Sequence, residues 1–354
     1  MLLALIAATV TILVTLGAAA KPAPIPPPDL AATGLYSGFQ ARTIDPRNLA
    51  YSPQYPLWSD GAAKRRWIHL PPGTKIDATD PDVWSFPVGT KVWKEFSFGG
   101  KRVETRYMEA TGRDVWRFAT YAWNADESAA VLAPEAGLRN AAEIRPGIHH
   151  DLPDVHACRA CHDDRRRSEV LGFSALQISA DRDPNAPNAE PLAPGMSTLT
   201  TLIERGLLKS YPAEWAKTPP RIAAASPTAR AALGYLHANC GNCHNPAGTL
   251  NSLTALLRHS VAPAAASETA VASAVGRTGR FAIPGLAPGE TFLIRPGDAA
   301  RSAVLFRMAT RDPYRQMPPL GTKIADAQAV ELIRRWIQDD LKGDPTTGFQ
   351  STSE

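Results

Sequence analysis

The chain has 354 residues, of which 44% are apolar and 20% are charged. This apolar content suffices for two or three packed domains and excludes a chain that is disordered throughout. The 38 basic and 34 acidic residues are interspersed and give a formal net charge of +4, without the single-sign blocks that are typical of nucleic-acid-binding tails. A nucleic acid is therefore not an expected partner, and the 32 prolines favour turns and extended linkers over a long helical bundle.

The first twenty residues predict an export signal. They carry no charge and end in Ala18-Ala19-Ala20, the small-x-small pattern of a signal-peptidase site. A proline-rich linker at 21–35 follows, and a flexible tail is expected at 344–354. An uncleaved membrane anchor is the alternative interpretation of residues 1–20, because about twenty apolar residues can span a bilayer. We expect a periplasmic protein, with membrane association only if this segment is retained.

The four cysteines fall in two copies of C-x-x-C-H. The copies comprise Cys158, Cys161 and His162, and Cys240, Cys243 and His244. This spacing predicts two covalently attached c-type haems, because paired thiols add to the vinyl groups on one porphyrin edge and the following histidine becomes the proximal iron ligand. A zinc ribbon, a thioredoxin-like redox pair and plain disulfides are the alternatives. Cysteine pairs of zinc ribbons usually lie about 15–20 residues apart, whereas 77 residues separate His162 from Cys240.

Residues 36–148 predict a β-rich domain. Runs with strand character at 91–98 and 101–110 flank Gly99-Gly100, which predicts a two-residue hairpin turn. We interpret the six tryptophans between residues 50 and 124 as core rather than as a ligand surface. The basic trio Lys64-Arg65-Arg66 is interpreted as a solvated surface. The trio Arg165-Arg166-Arg167 follows the first haem histidine, where pairing with haem propionates is the alternative to a solvated surface.

Helical periodicity begins after the first C-x-x-C-H motif. Helices are expected at 197–209, 228–239, 302–310 and 327–342, the last with Asp326 as its N-cap. The predicted fold class is therefore α+β. An N-terminal all-β, sandwich-like region precedes mainly α-helical, cytochrome c-like haem regions at 149–220 and 221–343.

The C-terminal part resembles a class I cytochrome c domain. The resemblance lies in the order of a helix, C-x-x-C-H, a long loop, Met317 beside proline, and a terminal helix with an aromatic residue. It implies that Met317 is the sixth iron ligand, opposite His244. A packed core methionine is the alternative.

Three strings ahead of the two motifs carry a second resemblance. PLWSDGAAKRRW (56–67), FPVGTKVWKEF (86–96) and ETR (104–106) are similar to a family of exported bacterial dihaem c-type cytochromes. The similarity covers about residues 36–341 and implies two haems and this architecture, without naming a substrate. The sixth ligand of the first haem stays open. The candidates are His149, His150, His156 and Met196, or the iron is open on that side.

One-electron transfer between redox partner proteins of the cell envelope is the function expected of two such haems. Methionine–histidine ligation predicts the higher potential at the second haem. The alternative is a dihaem peroxidase-like enzyme with an open first haem, although no distal acid or base set is readable from the sequence. No catalytic residue is assigned, because H-E-x-x-H, G-x-S-x-G and phosphate-binding glycine motifs are all missing from the sequence. A docking role for the β-rich domain is compatible with electron transfer.

Overall fold

The computed structural model describes residues 25–164, 167–168, 170–248, 250, 252–253, 255–262 and 268–342. The predicted signal peptide at 1–20 and the predicted tail at 344–354 lie outside these residues, as do the side chains of Arg165–Arg167. In the described part of the chain, no helix is long and apolar enough to cross a membrane.

Short strands and short helices alternate with long irregular segments. The strands are β1 (Tyr36–Gly38), β2 (Thr43–Ile44), β3 (Leu49–Tyr51), β4 (Ala63–His69), β5 (Ile76–Asp77), β6 (Lys91–Phe98), β7 (Lys101–Gly112), β8 (Val115–Trp123), β9 (Ala130–Leu132), β10 (Leu138–Arg145), β11 (Ile148–Leu152), β12 (Asp163–Asp164), β13 (Arg167–Ser168) and β14 (Leu208–Lys209). The helices are α1 (Val155–His162), α2 (Leu199–Glu204), α3 (Pro227–Asn239), α4 (Glu268–Ala274), α5 (Ala303–Ala309) and α6 (Ala327–Arg335), the last continued by a wider turn over Trp336–Asp340.

A six-stranded antiparallel sheet is the centre of the fold. Its strand order is β3-β4-β6-β7-β8-β9, so that the strands are neighbours in nearly the order of the chain. The hairpin predicted at Gly99-Gly100 is confirmed, with Phe98 paired to Lys101. Both glycines have positive φ, at 56° and 82°, as the type I′ hairpin turn requires.

Both faces of this sheet are covered. The inner face carries an apolar row that crosses five strands, Leu49, Ile68, Val92, Met108 and Phe118, and all five belong to one buried cluster. Chain segments around residues 170–215 pack on this row. The outer face holds the cluster around Trp67, Trp93 and Tyr121, which the N-terminal segment with Leu30 and Leu35 covers. The interpretation of the six tryptophans as core is confirmed for Trp67, Trp84, Trp93 and Trp123, whereas Trp58 and Trp116 are only partly buried.

The interpretation of Lys64-Arg65-Arg66 as a solvated surface is wrong for two of the three residues. Lys64 and Arg66 are 7% and 3% exposed, whereas the side chain of Arg65 is half exposed. Successive side chains of a strand point to opposite faces, so Lys64 and Arg66 point to the covered inner face. Whether a strand face is covered depends on distant parts of the chain, and composition alone does not reveal it.

The predicted fold class is wrong. The structure is about 20% helical and 24% strand, so the second half is not a mainly α-helical cytochrome-like domain. The N-terminal half is also not a sandwich, since the remaining sheets of the described chain have two strands each.

Prolines and glycines explain the low helical content. The predicted helix at 197–209 is limited to α2, because Gly206 takes a positive φ of 65° and closes the helix. Between α4 and α5, four glycines also have positive φ: Gly276, Gly285, Gly289 and Gly297. Prolines in the same stretch remove backbone donors, so no long helix forms there.

The predicted regions 36–148, 149–220 and 221–343 share their cores. Tyr55 and Leu176 lie in one buried cluster with the C-terminal helices. The carboxylate of Asp82 accepts a hydrogen bond from the Val261 N–H at 2.8 Å, which joins the β region to the segment after the second C-x-x-C-H motif. Loops that flank strands of the sheet are therefore packed against the C-terminal helices and the segment after the second motif.

Candidate functional site

The second C-x-x-C-H motif begins where α3 ends. This helix starts after Ser226, whose hydroxyl accepts a hydrogen bond from the Ala229 N–H at 2.9 Å, and Cys240 is its C-cap. The N–H groups of Cys243 and His244 both donate to the Cys240 carbonyl, at 3.1 and 2.9 Å. The motif is thus one tight turn that gathers two thiols and an imidazole at the end of the helix.

Gly241, inside this motif, is required by close packing. A Cβ at this position would lie 2.6 Å from the carbonyl oxygen of His237 and 2.8 Å from the Cα of Arg258. Both contacts are closer than van der Waals separation allows, and both involve backbone atoms that have no freedom to rotate away. Glycine therefore lets the motif pack tightly on the segment around residues 255–258.

The imidazole of His244 is held in one orientation. Its Nδ1 lies 3.2 Å from the Ala255 carbonyl oxygen, and because a carbonyl only accepts, Nδ1 carries the proton. Nε2 is then the nitrogen that can bind a metal, as is usual for ligating histidines whose other nitrogen donates to a carbonyl. Burial lowers the pKa of His244, which favours the neutral ring that ligation needs.

Met317 lines the same pocket as Cys240. The pocket lies between α3, α5 and the start of α6, and its lining includes Trp58, Tyr235, Cys240, Met308, Met317 and Asp326. The thiol that would tether a haem and the thioether predicted to ligate its iron therefore face one space. The structure adds Met308, a second buried methionine on α5 that the sequence did not single out.

Main-chain contacts set the position of Met317. Its N–H donates to the Arg307 carbonyl at 2.9 Å. The partly buried guanidinium of Arg311 donates to the carbonyls of Met308 and Met317, at 2.7 and 3.2 Å. The loop is therefore held to α5 and the residues just after it through both the N–H and the carbonyl of Met317.

The N-terminal PLWSD string completes this second site. One carboxylate oxygen of Asp60 accepts hydrogen bonds from the N–H groups of Lys323 and Ile324, each at 2.8 Å. The indole of Trp58 donates to the Ile324 carbonyl at 2.8 Å, and its own N–H donates to the side chain of Asn239 at 2.7 Å. The string thus joins α3 to the loop after Met317, a role that pattern analysis missed because it requires contacts across more than 250 residues.

The first C-x-x-C-H motif occupies the second half of α1. Asp154 precedes the helix, and its carboxylate accepts a hydrogen bond from the third helical N–H at 2.7 Å. The helix packs on β8, where the ring of His162 lies 5.8 Å from that of Phe118. Cys158 contacts the apolar cluster to which Phe118 and Met108 belong. The motif therefore sits on the inner face of the sheet.

The three histidine candidates for the sixth ligand of the first haem have different surroundings. His150 is buried, and its Nε2 lies 2.9 Å from a carboxylate oxygen of Glu104. His149 is on β11 opposite Glu143, and His156 is exposed on α1. The contact with Glu104 gives His150 a structural role in the sheet.

The two methionines near this region are placed far apart. Met196 lies near β3, because the N–H of the next residue, Ser197, donates to the Ala50 carbonyl. The first motif packs on β8, which is four strands from β3, or about 19 Å at the usual strand spacing. Met108, in contrast, is the direct cross-strand neighbour of Phe118 and shares a cluster with Cys158. The structure therefore brings Met108 to the first motif, and this required the pairing of β7 with β8.

The two C-x-x-C-H motifs lie close to each other. Burial raises the pKa of Cys161 and the charge of Cys243 raises it further, while Arg106 and Lys94 act in the opposite direction. No disulfide joins any of the four cysteines in the structure. The sequence assigned each motif separately, and the interaction between Cys161 and Cys243 is a feature of the tertiary structure.

Among the described residues, no group of three or more His, Cys, Asp and Glu side chains is arranged to hold a metal ion. In comparisons with known proteins, no family model, no curated protein and no solved structure matches the chain.

Proposed function

We propose that the chain is a periplasmic dihaem c-type cytochrome that transfers single electrons between redox proteins of the cell envelope. The observation that supports this most strongly is the second motif. There, Cys240 and Met317 line one pocket, and the hydrogen bond to Ala255 leaves Nε2 of His244 as the ligating atom.

The donor atoms present at each motif are of the types that tether and ligate a haem c. Cys158 and Cys161 would tether the first haem, and Cys240 and Cys243 the second; His162, His244 and Met317 would be iron ligands. Bound haem iron supplies the ferrous–ferric couple. The chain contributes burial and orientation: the Ala255 carbonyl orients the imidazole, and Arg311 holds the methionine loop.

The closeness of the two motifs supports transfer between two haems. Cys161 and Cys243 are within electrostatic range of each other, so haems attached there would be neighbours. Thioether ligation favours ferrous iron, and we therefore expect the higher potential at the haem of His244. Electrons would then run from the first haem to the second.

The test begins with a haem count on the mature protein, produced with a c-type maturation system. Two covalent haems per chain are expected by mass and by the spectrum of the reduced pyridine complex. Met317→Leu should then open one iron to carbon monoxide and lower the midpoint potential of that haem. Met308→Leu is the matched control, because Met308 lines the same pocket and loses the same thioether.

The outcomes separate the possibilities. A chain without covalent haem contradicts the proposal. Carbon monoxide binding after Met308→Leu instead of Met317→Leu would transfer the ligand role to Met308. Carbon monoxide binding in the unaltered protein, together with peroxide turnover after half-reduction, would favour the peroxidase-like alternative.

A further inference from the structure

A row of cations crosses the inner face of the sheet. Arg66 on β4, Lys94 on β6 and Arg106 on β7 are direct cross-strand neighbours, and Lys64 lies two residues before Arg66 on the same face. Lys64 and Arg66 are buried, while Lys94 and Arg106 are partly accessible. Like charges directly opposite one another destabilise a sheet, so this basic row needs a counter-charge.

Carboxylates of the chain do not balance the basic row. Glu104 pairs with Arg106 at 2.6 Å and Glu190 with Arg66 at 2.8 Å, whereas Lys94 forms no ion pair in the described part of the chain. Nη2 of Arg66 is buried without a hydrogen-bond partner among the described residues. A buried guanidinium N–H without an acceptor is unfavourable and marks a place for an anionic ligand.

The pKa values of Lys94 and Lys64 also reflect the excess of positive charge in the basic row. Burial, followed by the charges of the neighbouring cations, holds the pKa of Lys94 well below its usual value. Burial and the charge of Arg66 lower the pKa of Lys64 to about 8. An anion placed beside these ammonium groups would favour their charged forms.

The basic row lies beside the first C-x-x-C-H motif. Arg106 pairs with Thr120 on β8, the strand on which α1 packs, and Cys158 contacts the apolar cluster that contains Met108, two residues after Arg106. The next row on the same face contains Phe118, which contacts His162. A group tethered to the two thiols would therefore have an apolar row on one side and cations on the other.

We infer that Arg66, Lys94 and Arg106 bind the propionate carboxylates of the haem tethered by Cys158 and Cys161. The inference rests on the proposed function. Each haem carries two propionates, and guanidinium and ammonium groups make strong charge-assisted hydrogen bonds to carboxylates. The sheet then supplies the contact that the sequence suggested for Arg165–Arg167. Cations at this position also disfavour the additional positive charge of ferric iron and so raise the potential of the first haem.

The test compares Lys94→Met with Lys101→Met in the matured, haem-loaded protein. Both changes remove one lysine charge from the same sheet, but Lys101 is exposed and lies outside the basic row. Lys94→Met should retain two haems, lower the midpoint potential of one of them and shift its propionate bending modes in resonance Raman spectra. Lys101→Met should change neither the midpoint potential nor the propionate modes. Lys94→Arg keeps the positive charge and should leave both at their values in the unaltered protein.

Arg66→Gln is the second variant and should reproduce the effect of Lys94→Met even if the latter folds poorly. With two haems attached, unchanged potentials and unchanged propionate modes in both variants would overturn the inference and leave the proposed function standing. A haem count of zero in the unaltered protein would overturn both, and this count precedes every measurement of potential.

Discussion

Helix propensity and core packing predict opposite changes in stability when Gly234, in the middle of α3, is replaced by alanine. Replacing glycine by alanine inside a helix normally stabilises it by about 1 kcal/mol. Here an added Cβ would overlap three carbons of the Tyr55 ring. That ring cannot move aside easily, because Tyr55 is 2% exposed, its hydroxyl donates to Asp183 at 3.1 Å and its N–H donates to Gln177 at 3.1 Å.

We therefore expect Gly234→Ala to destabilise the protein. Overpacking a close-packed core costs about 1–3 kcal/mol, and the overlap with a fixed ring places this case near the upper end. After the gain in helix propensity, the free energy of unfolding should fall by about 2 kcal/mol. Because Tyr55 directly precedes the string that contacts the second motif, the same change should also disturb that site.

Urea denaturation followed by tryptophan fluorescence measures this effect, with Tyr55→Leu as the background for the control. Leucine lacks the ring atoms that the new methyl group would meet, so Gly234→Ala in this background should be neutral or stabilising by up to about 1 kcal/mol. A Gly234→Ala protein as stable as the unaltered chain, or more stable, would refute the packing argument.

Three further changes test the second site and its surroundings. Gly241→Ala should reduce haem attachment at the second motif, because its Cβ would lie 2.6 Å from a backbone carbonyl. The mass of the mature protein should then fall by one haem, whereas Asn242→Ala in the same motif should keep both haems. Asp60→Ala leaves two N–H groups near the methionine loop without an acceptor. The cost is about 2–3 kcal/mol in the free energy of unfolding. Asp60→Asn, which keeps the acceptor and tolerates the positive φ of 54°, should lose much less. Burial lowers the pKa of His259 from 6.5 to about 4. Between these values the unfolded chain binds more protons than the folded chain, so stability should fall as the pH falls, by about 1.4 kcal/mol per pH unit for this group. His259→Gln should remove that part of the slope, and an unchanged slope would show that His259 does not titrate in this way.

Local sequence signals predicted the local features well. The Gly99-Gly100 hairpin and the N-cap at Asp326 are found as expected, and α3 starts within one residue of its prediction. Each of these signals acts within a few residues of backbone, through positive φ at glycine or a side-chain acceptor at a helix start. Such features form largely independently of the rest of the fold.

Signals that depend on distant segments failed or were missed. Lys64 and Arg66 look like a solvated surface, but their strand face is covered by segments more than 100 residues downstream, including Glu190. Helical periodicity over 197–209 overestimated the helix, since a short periodic window does not show whether the next turn can continue past Gly206.

The sequence by itself determined the chemistry that is proposed: two C-x-x-C-H motifs and a methionine beside proline, because covalent spacing between thiols and imidazole is a property of the chain alone. Only the tertiary structure placed Cys161 near Cys243, put Met317 beside Cys240, and turned a row of cations toward the first motif. These distances arise from strand pairing and helix packing between segments far apart in the chain. The energies of the interactions at these sites depend on burial and on neighbouring charges, which a local sequence pattern does not reveal.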